Sequence, residues 1–175
     1  LLAEARVHRL LMDGSRVTGV RMKRHGQFTD IHAHEVVVAT GALHTPPLLL
    51  RSGIGPAAHL ADMGIEVVVD RPGVGGNLME HPGVNFGCWL KRDARWWPHL
   101  PTHMIAGWRY SSGMEGVPKG DMYIVPTNRS AWHAIGSCMG LMQLWVNKSY
   151  STGRVQLTSP DPEAEPDVDF DMCSD

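Results

Sequence analysis

Three short stretches at the start of the chain alternate apolar and polar residues, and tight turns divide them. The stretches are residues 6–12, 16–24 and 28–34. Asp13-Gly14 between the first two is a strong hairpin signal, and His25-Gly26 marks the next turn. The alternation therefore predicts three short strands that are joined by tight turns.

A different pattern follows in residues 35–39, Glu-Val-Val-Val-Ala, which do not alternate and include three consecutive valines. A strand that is buried on both faces, as in a parallel sheet, has this pattern. The next three residues, Thr40-Gly41-Ala42, are small and form a turn where the backbone could approach a ligand closely. We therefore predict a doubly buried strand that ends at a possible ligand site.

Two helices and a further strand are predicted after this turn. Thr45 is an N-cap candidate and Pro46 suits the first helical position, so the first helix begins at Pro46 and runs through Arg51. The second helix spans residues 57–63, and the strand spans 65–69. A strand, a glycine turn, helices and a strand in this order are typical of an open α/β sheet, whose ligands bind at the carboxyl ends of the strands.

Beyond residue 83 the helix signals fade, and Trp, Met, Gly and Pro become frequent. Stretches that alternate apolar and polar residues predict strands at residues 122–125, 141–146, 154–158 and 167–170. A polar linker with prolines, residues 159–166, separates the last two of these strands. We therefore expect residues 84–175 to form mostly antiparallel sheet with long loops. The predicted fold is mixed α/β (α+β), with an α/β region over residues 1–83 and a β-rich region over 84–175.

Composition and charge narrow the class of protein. The 175 residues are 43% hydrophobic and 19% charged, which is typical of a globular chain. The 16 Lys+Arg and 18 Asp+Glu residues leave a formal net charge of −2, and this argues against a nucleic-acid partner. No run approaches the ~18 consecutive apolar residues of a spanning helix, so no transmembrane segment is expected.

Cysteine and histidine spacing indicates neither a disulfide framework nor a metal site. Cys88, Cys138 and Cys173 are odd in number and widely spaced, which favours a reducing, cytoplasmic compartment. The ten histidines include two close pairs, His32 with His34 and His99 with His103. Neither pair has a neighbouring carboxylate or thiol at ligand spacing, and surface histidines explain both pairs equally well. No metal is expected.

Two other functions, hydrolysis by a Ser/His/Asp triad and phosphate binding by a glycine loop, have weak support in the sequence. A Ser/His/Asp hydrolase needs a G-x-S-x-G turn between strand and helix, and the turn at residues 40–42 has no nucleophile. Ser52 stands at a helix end, where a packing or capping role is expected. The glycine loop at residues 73–76 lacks the Lys-Ser/Thr of a phosphate-binding loop. It is either a structural turn or, within a larger fold, a ligand lid.

Residues 41–55, GALHTPPLLLRSGIG, carry the most specific pattern in the chain. Their small residues, their Thr-Pro step and their closing Ser-Gly-Ile-Gly resemble the second signature of the glucose–methanol–choline (GMC) family of flavin oxidoreductases. The resemblance continues through Pro72-Gly73-Val74-Gly75 and returns in Ser151-Thr152-Gly153-Arg154-Val155, so it runs almost end to end. An ordered series of this length is far more specific than one short motif.

The resemblance implies FAD as the cofactor and a small-molecule alcohol as the substrate, as in choline dehydrogenase-like members. In similar proteins the strand around Val7 lies near the adenine, and the turn of Ala39, Thr40, Gly41 and Ala42 lies near the nucleotide. These five residues are the expected cofactor-binding residues. Tight packing of the strand on the helix is the alternative explanation for them.

The resemblance further implies an enzyme that oxidises the CH–OH group of an alcohol by hydride transfer to the flavin. Residues 1–83 would then be part of an FAD-binding domain and residues 84–175 part of a substrate-binding domain. The choice between dehydrogenase and oxidase, and with it the electron acceptor, stays open. A lyase on the same fold is an alternative, because a fold does not determine one chemistry.

The chain departs from the family at three places. It has neither the G-x-G-x-x-G that holds the ADP part of FAD nor the segment with the catalytic His, and Glu80 stands where the family usually has Asp. We therefore expect an internal piece of a longer enzyme that contains no catalytic residue and is inactive alone. A fragment without any catalytic function is the third possibility.

Overall fold

The computed structural model describes residues 1–95, 102–104 and 106–174. Contacts divide the chain into two compact units: unit 1 is Leu1–Met79 with Ser151–Ser174, and unit 2 is Glu80–Tyr150. The contacts thus group the last part of the chain with the first unit, whereas the sequence-based regions divide after residue 83. Those regions were defined by the change in sequence pattern, and their assignment as functional domains stays a prediction.

An antiparallel three-stranded sheet begins unit 1, in the order β1-β2-β3. The strands are β1 (Ala5–Asp13), β2 (Arg16–Arg24) and β3 (Gln27–His32). The three strands predicted from alternation are therefore confirmed, although the third ends two residues early. Tight hairpin turns need residues with positive φ, and Gly14 (φ +55°) and Gly26 (φ +79°) meet this need.

Two helices follow, α1 (Gly41–Arg51) and α2 (Ala57–Asp62). Helix α2 agrees with the prediction to within one residue, but α1 begins five residues before the predicted first position, Pro46, and its N-cap is Thr40 rather than Thr45. Pro46 and Pro47 therefore lie inside the helix, and they leave two carbonyls of its first turn without their usual helical donors. This turn is exposed to solvent, where backbone carbonyls can be satisfied by water, and this explains why the longer helix is tolerated.

The two strands predicted on either side of the helices are largely wrong. Residues 35–39 pair with no described strand, and Val37 is 82% exposed rather than buried on both faces. Of the strand predicted at 65–69, only Val69 is paired, within β5 (Val69–Asp70), which lies parallel to β4 (Ile54–Gly55). A doubly buried strand needs paired strands along its edges and cover on both faces, and no described strand pairs with residues 35–39.

The core of unit 1 joins the two helices to the last part of the chain. Leu50, Leu60 and Leu157 are buried and pack together, with Met63, Ile65 and Val74 around them. Just before Leu157, strand β10 (Arg154–Gln156) pairs antiparallel with β11 (Asp167–Asp169). Both strands lie within the stretches predicted for them, and the Leu157 contact explains why residues 151–174 belong to unit 1.

A four-stranded antiparallel sheet forms most of unit 2, in the order β6-β9-β8-β7. Its strands are β6 (Gly83–Trp89), β7 (Trp108–Tyr110), β8 (Met122–Thr127) and β9 (Met139–Val146), and short 3-10 turns lie at Arg92–Ala94 and Gly136–Cys138. The described residues of this unit contain no α-helix, as predicted for a β-rich region. Among the described residues of the whole chain, no helix has the length and hydropathy to cross a bilayer.

Candidate functional site

A cavity of about 730 Å³ lies in unit 1 between strand β1, helix α1 and residues 162–166. Strand β1 contributes Val7, and one face of the helix contributes His44, Leu48 and Arg51, which follow one another at helical spacing. The volume lies within the range of roughly 300–1,000 Å³ that small-molecule sites occupy. The cavity is therefore large enough for part of a cofactor.

The cavity brings together two of the five expected cofactor-binding residues. Val7 and Thr40 both line it, although most of the three-stranded sheet separates them in sequence. Ala39, Gly41 and Ala42 adjoin Thr40 and are exposed, but they do not line the cavity. This placement is consistent with a cofactor at the start of α1, and the assignment of the five residues stays a prediction.

The backbone at the start of α1 is open to a ligand. Gly41 has φ +81°, and a Cβ built on it would meet no atom within 4 Å apart from its chain neighbours and the backbone of its own helix. Thr40 is the N-cap residue, but its hydroxyl lies 3.0 Å from Thr45 Oγ1 and caps no backbone N–H. The first turn also carries no acidic side chain. Its free N–H groups, at the positive end of the helix dipole, are suited to a phosphate oxygen.

The other end of α1 is fastened to the free edge of β1. Ser52 Oγ accepts a hydrogen bond from the Leu10 N–H at 2.8 Å and donates one to the Leu48 carbonyl at 2.6 Å. Ser52 and Leu10 are both buried. The capping role expected of Ser52 is therefore confirmed, and its hydroxyl is engaged in two hydrogen bonds rather than poised as a nucleophile.

Arg51 brings a half-buried positive charge to the cavity. Its Nε donates a hydrogen bond to the His8 carbonyl at 3.4 Å. Burial, and after it the charge of Arg6, lowers the pKa of Arg51, although an arginine stays protonated near neutral pH. A partly desolvated guanidinium of this kind favours an anionic ligand group such as a phosphate or a carboxylate.

Residues 162–166 form a wall of the cavity that the sequence analysis missed. Pro162, Ala164, Glu165 and Pro166 line the cavity. The only signal in the sequence was the pair of prolines, which predicted a linker between the last two strands. The role as a wall depends on a contact with β1 at the other end of the chain, and no local pattern reports such a contact.

The glycine loop at residues 73–76 is a structural turn. Gly75 has φ +83°, its carbonyl accepts a hydrogen bond from the Val155 N–H at 2.7 Å, and a Cβ on it would collide with the Val155 carbonyl oxygen. Close packing against β10 therefore requires a glycine at this position. Of the two interpretations of the loop, this geometry supports the turn rather than the lid.

The described histidines and cysteines are dispersed. Within residues 1–95, 102–104 and 106–174, no three His, Cys, Asp or Glu side chains are grouped so that they could hold a metal ion. His32 and His34 are exposed, and His99 of the second histidine pair lies outside the described residues. Cys88, Cys138 and Cys173 are free thiols.

Comparison with known sequences gives matches that agree with one another. Residues 1–83 match the family model described as GMC oxidoreductase. The whole chain is 39% identical to a 5-(hydroxymethyl)furfural oxidase from Methylovorus sp. (strain MP688), of which it covers 33%. It is 34% identical to an oxygen-dependent choline dehydrogenase from Rhizobium etli, over 95% of this chain and 35% of that protein. The chain thus spans about a third of the length of these curated relatives.

Solved structures share the fold at lower identity. A pyridoxine 4-oxidase from Mesorbium loti matches 94% of this chain and 33% of its own, with a TM-score of 0.76 and 22% identity. A formate oxidase from Aspergillus oryzae RIB40 matches 96% of this chain and 39% of its own, with a TM-score of 0.81 and 21% identity. At these identities the likeness shows the fold, and it confirms the mixed α/β class.

Proposed function

We propose that this chain, which belongs to the GMC oxidoreductase family, is part of an FAD-dependent enzyme. The proposed enzyme oxidises the CH–OH group of a small alcohol by hydride transfer to the flavin. The observation that carries the proposal is the match of the whole chain to a 5-(hydroxymethyl)furfural oxidase at 39% identity. The choline dehydrogenase match supports the same chemistry, because choline and 5-(hydroxymethyl)furfural are both primary alcohols.

The cavity of unit 1 fits the nucleotide part of this cofactor. Val7 would lie beside the adenine, and the turn of Ala39, Thr40, Gly41 and Ala42 would lie beside the rest of the nucleotide. The open N–H groups at the start of α1 and the half-buried guanidinium in the cavity favour phosphate oxygens. FAD, when bound, supplies the hydride acceptor that no side chain can supply.

The residues of this chain would therefore bind and orient the cofactor, and we assign proton transfer to none of them. The proposed substrate is a small alcohol, and the proposed compartment is the cytoplasm. The three free thiols support a reducing compartment, since disulfides rarely persist there.

The test is the anaerobic reduction of flavin in the full-length protein. The purified protein should carry the visible absorbance of oxidised flavin, and adding 5-(hydroxymethyl)furfural or choline without oxygen should bleach it. 5-Methylfurfural, which lacks the hydroxyl group, is the matched control and should leave the absorbance unchanged. Protein without flavin would contradict the cofactor. Flavin that stays oxidised with every primary alcohol would contradict the reaction and favour a lyase or a non-catalytic role.

A further inference from the structure

One wall of the cofactor cavity comes from the loop between β10 and β11. Within residues 162–166, Glu163 alone does not line the cavity. The loop and β1 lie at opposite ends of the chain. The position of the loop beside β1 therefore depends on contacts between these distant segments. Glu163 makes these contacts.

The Glu163 carboxylate faces cations on the first two strands. Arg6 Nη1 donates a hydrogen bond to Glu163 Oε2, and Lys23 Nζ lies 3.8 Å from Glu163 Oε1. His8 Nε2 is also 3.8 Å from Oε1. Burial lowers the pKa of His8, however, so its imidazole is neutral near pH 7. The charged partners of Glu163 are therefore Arg6 on β1 and Lys23 on β2.

Local hydrogen bonds stiffen the backbone around Glu163. Asp161 Oδ1 accepts a hydrogen bond from the Glu163 N–H at 2.9 Å, and the Ala164 N–H donates one to the Asp161 carbonyl at 3.1 Å. Thr158 Oγ1 donates a third to the Glu165 carbonyl at 2.9 Å. Because these hydrogen bonds hold the turn at several points, contacts that fix the Glu163 carboxylate also fix the neighbouring residues that line the cavity.

We propose that Glu163 is a positioning residue of the cofactor cavity: by pairing with Arg6 and Lys23, it holds residues 162–166 against β1 and β2 and so sets the width of the cavity. The inference rests on the proposed function, because the ligand is FAD. A lone exposed ion pair contributes little. Here, loss of one carboxylate removes the counter-charge that two cations share, and the electrostatic attraction of the wall to both strands is lost.

The test is the FAD affinity of the full-length apo-protein, measured by isothermal titration calorimetry. Glu163→Gln keeps the size of the side chain and removes its charge. We expect the dissociation constant for FAD to rise about fivefold, because binding must then order a loosened wall. Glu66→Gln is the matched control, since Glu66 is exposed in the same unit and does not line the cavity. It should bind FAD as the wild type does.

Two further measurements separate positioning from a general structural role. Lys23 does not line the cavity, so Lys23→Gln tests the ion pair from its other side. It should raise the dissociation constant about twofold alone and no further when combined with Glu163→Gln, because interacting residues are not additive. The melting temperature of the Glu163→Gln apo-protein should stay within about 2 °C of the wild-type value.

The outcomes of these measurements distinguish a failure of the inference about Glu163 from a failure of the proposed function. If Glu163→Gln binds FAD as the wild type does, the inference is overturned and the proposed function stands. Additive effects of the Glu163 and Lys23 changes, or a loss of FAD that only follows a loss of apo-protein stability, would also overturn it. If the wild-type protein binds no FAD, the proposed function itself fails.

Discussion

A methyl group at Gly41 is a direct test of the cofactor assignment. Gly41 has φ +81° and Gly26 has φ +79°, and at both positions a Cβ would meet no atom within 4 Å apart from the local backbone. Gly26 lies in the turn between β2 and β3, whereas Gly41 adjoins Thr40, which lines the cavity. Gly41→Ala and Gly26→Ala are thus the same backbone perturbation at two places, and only the first lies beside the proposed cofactor.

The structure predicts how the two changes should differ. An alanine held in the left-handed region costs roughly 1–2 kcal/mol, and neither change adds a clash within the protein. The two apo-proteins should therefore melt within about 2 °C of each other. Losing about 1.4 kcal/mol of binding free energy raises a dissociation constant tenfold. A methyl group in contact with the nucleotide should cost at least this, so Gly41→Ala should weaken FAD binding about tenfold or more.

The assay compares FAD affinity, flavin content after desalting and thermal unfolding in the wild type and both variants. Similar losses of stability with a selective loss of FAD in Gly41→Ala would support the assignment. If both variants lose FAD equally, backbone strain is the cause, and the packing explanation of the turn is favoured. FAD binding that is unchanged in Gly41→Ala refutes the reasoning.

Three further predictions concern stability and the isolated chain. Ser52→Ala leaves the buried Leu10 N–H without its acceptor, and it should lower the free energy of unfolding in urea by about 1–3 kcal/mol; an unchanged midpoint would contradict this. Hydrogen bonds from Ser112 lower the pKa of Asp121, so the unfolded state binds more protons between the two pKa values. Asp121→Asn should therefore be less stable than the wild type above pH ~4, and the difference should shrink as the pH falls further; a difference that does not depend on pH would argue against it. The isolated 175-residue chain, which has no G-x-G-x-x-G, should retain no FAD after desalting and oxidise no alcohol, and stoichiometric flavin absorbance would disprove this.

Local patterns predict the parts of this fold whose contacts are local. Alternation and the turn glycines Gly14 and Gly26 together specify the β1–β2–β3 hairpins, because a hairpin turn determines which residues face each other. In unit 2, alternating stretches predict β8 and β9, whereas no strand was predicted at β6 or β7. The strand order was not predicted either, since β6 pairs with β9 across the two strands that lie between them in sequence.

Contacts between distant segments explain the errors and the omissions. The valines of residues 35–39 predict burial, but burial depends on neighbouring strands and helices that this stretch does not specify. Val7 and Thr40 could be placed together only through the family resemblance, because no local pattern connects them. In residues 162–166 the prolines are the only signal in the sequence, and they predict a linker. The function of this segment as a wall of the cavity comes from the pairing of Glu163 with β1 and β2.

Two polar contacts of different kinds assemble the cavity. Ser52 holds α1 on β1 through neutral, buried hydrogen bonds, whereas Glu163 holds residues 162–166 through half-exposed charges. Salt shortens the range of exposed charge interactions from roughly 10 Å at 0.1 M to 3 Å at 1 M, and it affects neutral buried bonds little. The ratio of FAD dissociation constants between Glu163→Gln and the wild type should therefore fall toward one in high salt, while the stability loss of Ser52→Ala persists. A ratio that does not change with salt would mean that the wall is held by something other than charge.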